Sequence, residues 1–194
     1  MTIKPLIFLL IFFCTISTCI AQTTTKKTYT KEEIEQLDAT YKAKKKKDKA
    51  KRKELNQTTL TELTLEDING NIYTLDDLKG KVVVMNFWFI RCQPCVAEIP
   101  DLNELKAKFK GKDVLFFAVA LDTKPALEVF LESHPFDFII IPKGGALANR
   151  FKIPHYPFNM IIDQNGTMQY VSDVLSLNIV NRLKRRINAL LKEH

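Results

Sequence analysis

The most informative part of the chain is residues 81–100, which read KVVVMNFWFIRCQPCVAEIP. The first nine of these residues follow Gly80, are almost continuously apolar and are rich in valine and aromatic side chains. A run of this kind is typical of a strand that is buried on both faces of a sheet. After the cysteines, apolar residues recur at helical spacing, at Ile99, Leu102, Leu105 and Phe109. The segment therefore predicts a buried strand, a Cys-Gln-Pro-Cys turn and a helix in direct succession.

Outward from this segment, strands alternate with helices. The predicted elements are, in chain order, a hairpin of 60–65 and 72–75 around Asn69-Gly70, a strand at 114–120, a helix around 127–131, a strand at 138–141, a helix at 147–151, a hairpin of 158–162 and 168–171 around 163–166, and a helix at 177–191. Asn-Gly between apolar runs is a strong hairpin signal, and alternating strands and helices require a sheet covered on both faces. The predicted fold is α/β, a central mixed β-sheet flanked by helices, with an N-terminal β-hairpin extension.

The charge of the chain is concentrated near its N-terminus. The 194 residues carry a formal net charge of +7 and are 46% hydrophobic. Residues 26–54 hold 12 Lys or Arg against 6 Asp or Glu, whereas residues 55–194 hold 16 of each sign. Because a nucleic-acid-binding domain carries its basic patch on the fold itself, the neutral C-terminal part argues against a nucleic-acid partner.

Residues 1–21 have the pattern of an export signal peptide. They combine a positive start, an unbroken apolar run at Leu6–Phe13 and small residues before a cleavage point at Ala21. The apolar run is shorter than the roughly 20 residues of a membrane-spanning helix, and an uncleaved anchor is the alternative. Lipid attachment at Cys19 is disfavoured by the bulk of Thr18. We therefore expect export to the periplasm, with membrane attachment left open.

The following segment, residues 22–56, is predicted to be a Lys-rich linker, either helical or disordered. Thr30 and Glu33 have capping-box spacing, and apolar residues of one helical face follow, at Ile34, Leu37 and Tyr41. Lysine then predominates from Lys42 to Lys53. The simpler interpretation is a solvated tether, and the alternative is a weak contact with an anionic membrane surface.

The cysteines point to redox chemistry. Cys14 and Cys19 lie in the predicted signal, which leaves Cys92 and Cys95, separated by two residues. A structural disulfide stabilises most when it closes a long loop, so this spacing indicates a redox pair or half of a metal site.

The predicted position of this pair, between a buried strand and a helix, favours a reactive thiolate. A helix N-terminus presents unpaired N–H groups and a partial positive charge, and both lower the pKa of a thiol. We expect Cys92 at or near the N-cap, more exposed, as the attacking nucleophile. Cys95, about one turn inside the helix and more buried, would be the resolving thiol.

Asn86-Phe87-Trp88, Cys92–Cys95, Glu98 and Pro100 together resemble the TlpA/ResA-like branch of the thioredoxin superfamily, from about residue 60 to the C-terminus. The resemblance implies a thioredoxin domain over 57–194 that acts as an envelope-facing thiol–disulfide oxidoreductase. Its redox centre would be the Cys92–Cys95 disulfide, with no other cofactor and no metal. Its partners would be protein thiols and disulfides and a membrane thiol electron donor.

The same resemblance implies a substrate-binding surface beside the cysteines. Pro157 would be a cis-proline, with Pro154 as the nearby competitor, and would expose the backbone of Tyr156 to a partner's extended segment. Trp88 and Arg91 complete the predicted substrate-binding residues. Arg91 stands where the family usually has tryptophan, and a cation there should favour the Cys92 thiolate unless solvent screens it.

Glu98 would assist proton movement near the thiol pair, as its counterpart in the family does. The alternative is a solvent-facing glutamate favoured by the helix N-terminus. Asn86 occupies the position at which cytoplasmic thioredoxins carry a buried aspartate. His155 could approach Cys92, although a surface turn residue is the simpler interpretation.

Two other functions use the same cysteines. A copper or haem-related carrier would bind through both thiolates, but the two-residue spacing favours dithiol exchange. A peroxidase is disfavoured because the residues before Cys92 do not form the expected Pro-x-x-x-Thr-x-x-Cys setting. Protein disulfide exchange is the function that the sequence predicts. The family resemblance favours the reducing direction, which the residues alone do not fix.

Overall fold

The computed structural model describes residues 30–55, 58–171 and 178–192. The predicted signal peptide, with Cys14 and Cys19, lies outside these residues, as do residues 22–29 and 56 of the predicted linker. Within the described ranges, no helix is both long enough and apolar enough to span a membrane.

Helix α1, Lys31–Leu55, is the first described element. It begins at the predicted capping box, since Thr30 Oγ1 accepts the N–H of Glu33 at 3.2 Å and Glu33 Oε2 accepts the N–H of Thr30 at 2.8 Å. The apolar side chains Ile34, Leu37 and Tyr41 are exposed. The predicted linker is thus helical over Lys31–Leu55.

The elements after α1 follow the predicted order. They are β1 (Thr64–Glu66), β2 (Ile72–Thr74), α2 (Leu75–Leu78), β3 (Val82–Trp88), α3 (Gln93–Lys108), β4 (Val114–Ala120), α4 (Lys124–Ser133), β5 (Ile139–Ile141), α5 (Gly145–Arg150), β6 (Phe158–Ile162), β7 (Met168–Val171) and α6 (Ile179–Leu190). The sequence pattern does not predict α2. This single turn is held by Asp77 Oδ2, which accepts the N–H and the hydroxyl of Thr74 at 2.7 and 2.6 Å.

The main sheet has five strands in the order β5-β4-β3-β6-β7. β3 and β4 are parallel, as are β4 and β5, whereas β6 runs antiparallel to both β3 and β7. β3 is central, and all seven of its residues are buried, as its apolar run predicts. The predicted mixed sheet is confirmed.

The side chains of β3 alternate between two cores, one on each face of the sheet. Val84 and Trp88 pack with α3 and α6, whereas Met85 and Phe87 pack with the β1–β2 hairpin and α5. The four apolar positions predicted for the closing helix are all buried, at Ile179, Leu183, Ile187 and Leu190. Helices therefore cover both faces of the sheet, and α3 places the cysteine motif on the first of them.

The N-terminal hairpin is confirmed, but β1 is shorter than the predicted strand at 60–65. Leu60 N–H donates to the Gly166 carbonyl at 2.9 Å, and Thr59 forms an antiparallel bridge with Thr167. The start of the predicted strand therefore pairs with the β6–β7 hairpin instead of with β2.

Asp67 fixes the turn of the β1–β2 hairpin. Its Oδ1 accepts the N–H groups of Asn69 and Asn71 at 2.8 and 2.9 Å, and its Oδ2 accepts the Asn71 side-chain amide at 2.8 Å. Burial by itself would raise the pKa of Asp67, but the hydrogen bonds from Asn71 and Asn69 outweigh it and the pKa is lowered. The turn thus depends on an ionised carboxylate.

We expect Asp67→Ala to lower the free energy of unfolding by about 1–3 kcal/mol, because it leaves part-buried N–H groups without an acceptor. Asp67→Asn retains one acceptor oxygen and should lose less. Urea unfolding of the oxidised protein measures both variants, and an alanine variant as stable as the wild type would contradict this account of the turn.

Candidate active site

The loop between β3 and α3 delivers the two cysteines. Cys92 is the N-cap of α3 and Cys95 lies in its first turn, as predicted. A disulfide joins them, with their Cα atoms 5.2 Å apart. Cys92 Sγ accepts the N–H of Cys95 at 3.3 Å. The helix N-terminus therefore presents an N–H donor to the sulfur that the sequence predicts as the nucleophile.

Both cysteines are buried, with Cys92 6% exposed and Cys95 3% exposed. The exposed fraction of Cys92 is the larger of the two, which agrees with the prediction that Cys92 is the more accessible, and the difference is small. Arg91, Gln93 and Pro94, which flank them, are exposed. The disulfide is thus recessed among exposed loop residues.

Backbone hydrogen bonds anchor the cysteine loop. Cys92 N–H donates to the Phe89 carbonyl at 3.0 Å, and Ile90 N–H donates to Asp122 Oδ2 at 2.8 Å. Asp122 follows the end of β4, at the same edge of the sheet as the end of β3. Sequence reasoning missed this residue. The available signal was an aspartate two residues after the last residue of a buried parallel strand.

The bond between Tyr156 and Pro157 is cis, the only cis peptide within the described ranges. This confirms the prediction for Pro157 over Pro154. The Tyr156 ring meets Phe89 edge to face, with ring centroids 5.5 Å apart, and both residues are half-buried. The proline loop therefore contacts the cysteine loop through an aromatic pair, of which only Tyr156 was predicted.

Trp88, a predicted substrate-binding residue, is fully buried. Its ring packs against Phe130 and Phe136, with centroids 5.6 and 5.5 Å away. The ring offers no exposed surface to a partner, because it fills the core beneath the cysteine loop.

His155 lies on the proline loop, with its ring 5.5 Å from that of Phe158. In the parts of the chain that the structure describes, no group of three or more His, Cys, Asp or Glu side chains is arranged to hold a metal ion.

Glu98 lies on the inward face of α3. Its neighbours at helical spacing on that face, Cys95 and Leu102, are both buried. The Glu98 side chain is itself half-buried, and its Oε2 is inaccessible to solvent and has no hydrogen-bond partner among the described residues. The alternative of a solvent-facing Glu98 is therefore wrong.

The environment of Glu98 changes its acidity. Burial raises its pKa from 4.5 to about 7, a hydrogen bond with Asn159 opposes the rise, and the charge of Asp101 adds to it. A carboxyl group with such a pKa can both accept and release a proton near neutral pH.

Asn159, on β6, is a site residue that sequence reasoning missed. It lies opposite Asn86 of β3 in the antiparallel register. Asn86 Nδ2 donates to Asn159 Oδ1 at 2.9 Å, and the two residues are 2% and 1% exposed. The available signal was a single polar residue inside each of two otherwise apolar strands, VVVMNFW and FNMII.

The raised pKa of Glu98 predicts a pH-dependent stability. The unfolded chain ionises this group above about 4.5, whereas the folded protein keeps it protonated up to about 7. The folded state therefore holds more protons within this window, and stability that is fully present below it is lost as the pH rises through it. We expect Glu98→Gln to flatten that fall. Urea unfolding at several pH values tests this, and an identical slope in the variant would contradict it.

The comparisons with known proteins agree with this geometry. Residues 56–171, which contain both cysteines, Glu98 and Pro157, match the AhpC/TSA family. The chain belongs to the AhpC/TSA family. The match begins before β1 and ends with β7, so it includes the whole five-stranded sheet.

Among relatives, this AhpC/TSA chain is similar to thiol-disulfide oxidoreductases named ResA. The protein of Bacillus cereus (strain ZK / E33L) is 36% identical over 102 residues, which are 52% of this chain and 59% of the relative. That of Geobacillus kaustophilus (strain HTA426) is 32% identical over 116 residues, 59% of this chain and 67% of the relative. The chain thus spans less than two thirds of the Bacillus relative's length. The predicted ResA-like resemblance is confirmed.

Solved structures confirm the thioredoxin-like fold of this AhpC/TSA chain. A Chlorobium tepidum protein, assigned as a thiol:disulfide interchange protein DsbE, has a TM-score of 0.64 and 26% identity, covering 70% of this chain and 97% of its own. A secreted Mycobacterium tuberculosis disulfide oxidoreductase homologous to Escherichia coli DsbE has a TM-score of 0.57 and 25% identity, covering 66% and 96%.

Proposed function

We propose that this chain is a thiol–disulfide oxidoreductase that exchanges disulfides with protein partners through Cys92 and Cys95. The observation that carries the proposal is the disulfide at the N-terminus of α3, where Cys92 Sγ accepts the N–H of Cys95. The names of the ResA relatives support the same activity.

In the reducing direction, the Cys92 thiolate attacks one sulfur of a partner disulfide. The partner's other sulfur leaves as a thiolate and takes a proton, so a mixed disulfide joins the two proteins. Cys95 then loses its proton and attacks Cys92 Sγ, which releases the second partner sulfur. The partner gains two electrons and two protons, and the protein returns to the Cys92–Cys95 disulfide.

The helix N-terminus and Arg91 favour the attacking form of Cys92. The first N–H groups of α3 and its dipole stabilise a negative charge at the N-cap. Arg91 is exposed directly before Cys92, and its positive charge acts in the same direction through solvent that partly screens it. Cys92 is therefore the nucleophile in this proposal.

Glu98 is the proton acceptor for Cys95 in this proposal. The two residues are three positions apart on α3, so their side chains share one helix face. At neutral pH a carboxyl with a pKa of about 7 is partly ionised. It can take the Cys95 proton in the second step and return it to solvent afterwards.

The partner would bind across the loop of Tyr156 and Pro157. An extended segment would pair with the backbone of Tyr156 in the manner of an added strand. The half-buried rings of Phe89 and Tyr156 offer an apolar contact beside the disulfide, and exposed Arg91 offers a charged one. Buried Trp88 supports this surface from below.

The compartment and the electron supply belong to the same proposal. The pattern of residues 1–21 supports export to the periplasm, where a reductase needs a dedicated donor because the surroundings are oxidising. A membrane thiol protein would fill that role. The lysines between Lys42 and Lys53 would add a weak contact with anionic lipid, and the test is salt-dependent binding of the whole chain to anionic vesicles.

The activity is tested by insulin reduction with dithiothreitol as the electron source. We expect the whole chain to accelerate insulin precipitation. With a Cys92→Ser/Cys95→Ser variant, precipitation should be no faster than with dithiothreitol by itself. Stoichiometric Cu(I) binding without insulin reduction would favour the copper-carrier alternative. Rapid consumption of hydrogen peroxide without insulin reduction would favour a peroxidase.

A further inference from the structure

The sheet carries two polar side chains at positions where its other residues are apolar. Asn86 and Asn159 face each other across β3 and β6 and are almost completely buried. An amide buried without hydrogen-bond partners costs stability. The pair avoids part of this cost, because Asn86 Nδ2 donates to Asn159 Oδ1 at 2.9 Å.

This hydrogen bond fixes the orientation of the Asn159 amide. Its oxygen is directed to Asn86, so its NH₂ group is left for its second partner, Glu98. An amide nitrogen can only donate, and a carboxyl oxygen accepts such a bond best when it is ionised. The orientation set by Asn86 therefore gives Glu98 a donor.

We propose that Asn159, oriented by Asn86, is the positioning residue that holds Glu98 on the Cys95 side of α3 and keeps its side chain available as a carboxylate. The proposal rests on the proposed function for its kinetic consequence, but its structural part concerns Glu98 alone. Asn159 touches no reacting atom in this account and acts through Glu98.

The other groups around Glu98 leave this role to Asn159. Neither β3 nor β6 contains a charged residue. Asp101, on α3 itself, makes Glu98 harder to ionise. On α6, which packs against α3, Arg186 donates to Gln169. The remaining cations of α6 are exposed, namely Arg182, Lys184 and Arg185. After reduction, the thiols of Cys92 and Cys95 become additional titrating neighbours.

The direct test follows the Glu98 carboxyl by carbon-13 NMR during a pH titration of the oxidised whole chain. Two near-isosteric variants form a matched pair, because Asn159→Val removes every donor and Asn159→Thr retains a hydroxyl. We expect valine to raise the Glu98 midpoint by about one pH unit, equal to an approximately tenfold smaller ratio of carboxylate to acid at a given pH. Threonine should shift it by less than half as much.

The kinetic test measures resolution of a mixed disulfide with a model peptide at neutral pH. We expect Asn159→Val to slow the release step up to about tenfold and to have no further effect in a Glu98→Gln background. If the valine variant folds poorly, Asn86→Val/Asn159→Val removes both amides and leaves neither without a partner.

Equal Glu98 midpoints in the wild type and in folded valine variants would overturn the proposal. Equal shifts for valine and threonine would also overturn it, because the donor would then be irrelevant. The NMR titration needs no partner and no turnover. A chain that lacks exchange activity would therefore refute the proposed function, while the Glu98 midpoints would still decide the role of Asn159.

Discussion

We expect Cys92→Ser to abolish disulfide exchange and Cys95→Ser to trap a covalent complex with the partner. The asymmetry follows from the N-cap position of Cys92, whose sulfur accepts the Cys95 N–H and is the more exposed of the two. Without Cys95, the mixed disulfide has no internal thiol to resolve it. Non-reducing gel electrophoresis with a disulfide-containing protein substrate measures both outcomes.

The double variant Cys92→Ser/Cys95→Ser is the control, since it should form no complex. The reverse pattern, with the complex trapped by Cys92→Ser, would show that Cys95 attacks first. Loss of folding is not expected in either single variant, because a disulfide between residues three apart closes a very short loop.

We expect Glu98→Gln to slow exchange by about 100-fold at neutral pH, at the lower end of what general acid–base catalysis contributes. Glutamine keeps the size of the side chain and can still bond to Asn159, but it cannot accept the Cys95 proton. The wild-type release rate should rise with pH around 7, where Glu98 ionises. That rise should be missing from the variant.

The matched control is Glu104→Gln, on the same helix but exposed and near Lys108. It should leave the rate and the pH profile unchanged. Stopped-flow measurement of the release step from about pH 5 to about pH 9 covers the ionisation of Glu98. A Glu98→Gln profile that matches the wild type would remove Glu98 from the mechanism.

The sequence predicted best the elements whose signal is local. The apolar run of β3 and the spacing of Leu183 and Ile187 in α6 each report burial directly, because burial follows the period of the element. The strand at 60–65 was less well predicted because Leu60 pairs with Gly166, more than 100 residues away. No short-range pattern contains such a partner.

The same distinction between local signals and long-range contacts holds at the candidate active site. Cys92, Cys95 and Pro157 belong to a recognisable motif, and their placement could be predicted. The burial of Glu98 could have been derived from its position three residues after Cys95 on an inward face. The partners of that carboxyl could not, because Asn159 reaches it only through the antiparallel register of β6 with β3.

Asp122 and Phe89 were missed for a related reason. Each contacts a residue that is distant in the sequence. Asp122 accepts the N–H of Ile90, and the ring of Phe89 packs against the ring of Tyr156. Their identities in the sequence are ordinary, an acidic residue after a strand and an aromatic residue in a loop. Only the folded structure, in which the ends of the strands lie side by side, shows that these two residues hold the loops near the disulfide in place.

The most direct test of the central claim is redox equilibration of the whole chain with graded ratios of reduced and oxidised glutathione, followed by acid trapping and counting of free thiols. We expect a single reversible transition of two thiols that is absent from the Cys92→Ser/Cys95→Ser variant, at a potential negative enough to mark a reductase. A pair that stays oxidised even in excess dithiothreitol, with the protein folded, would contradict the account, because the disulfide would then be structural.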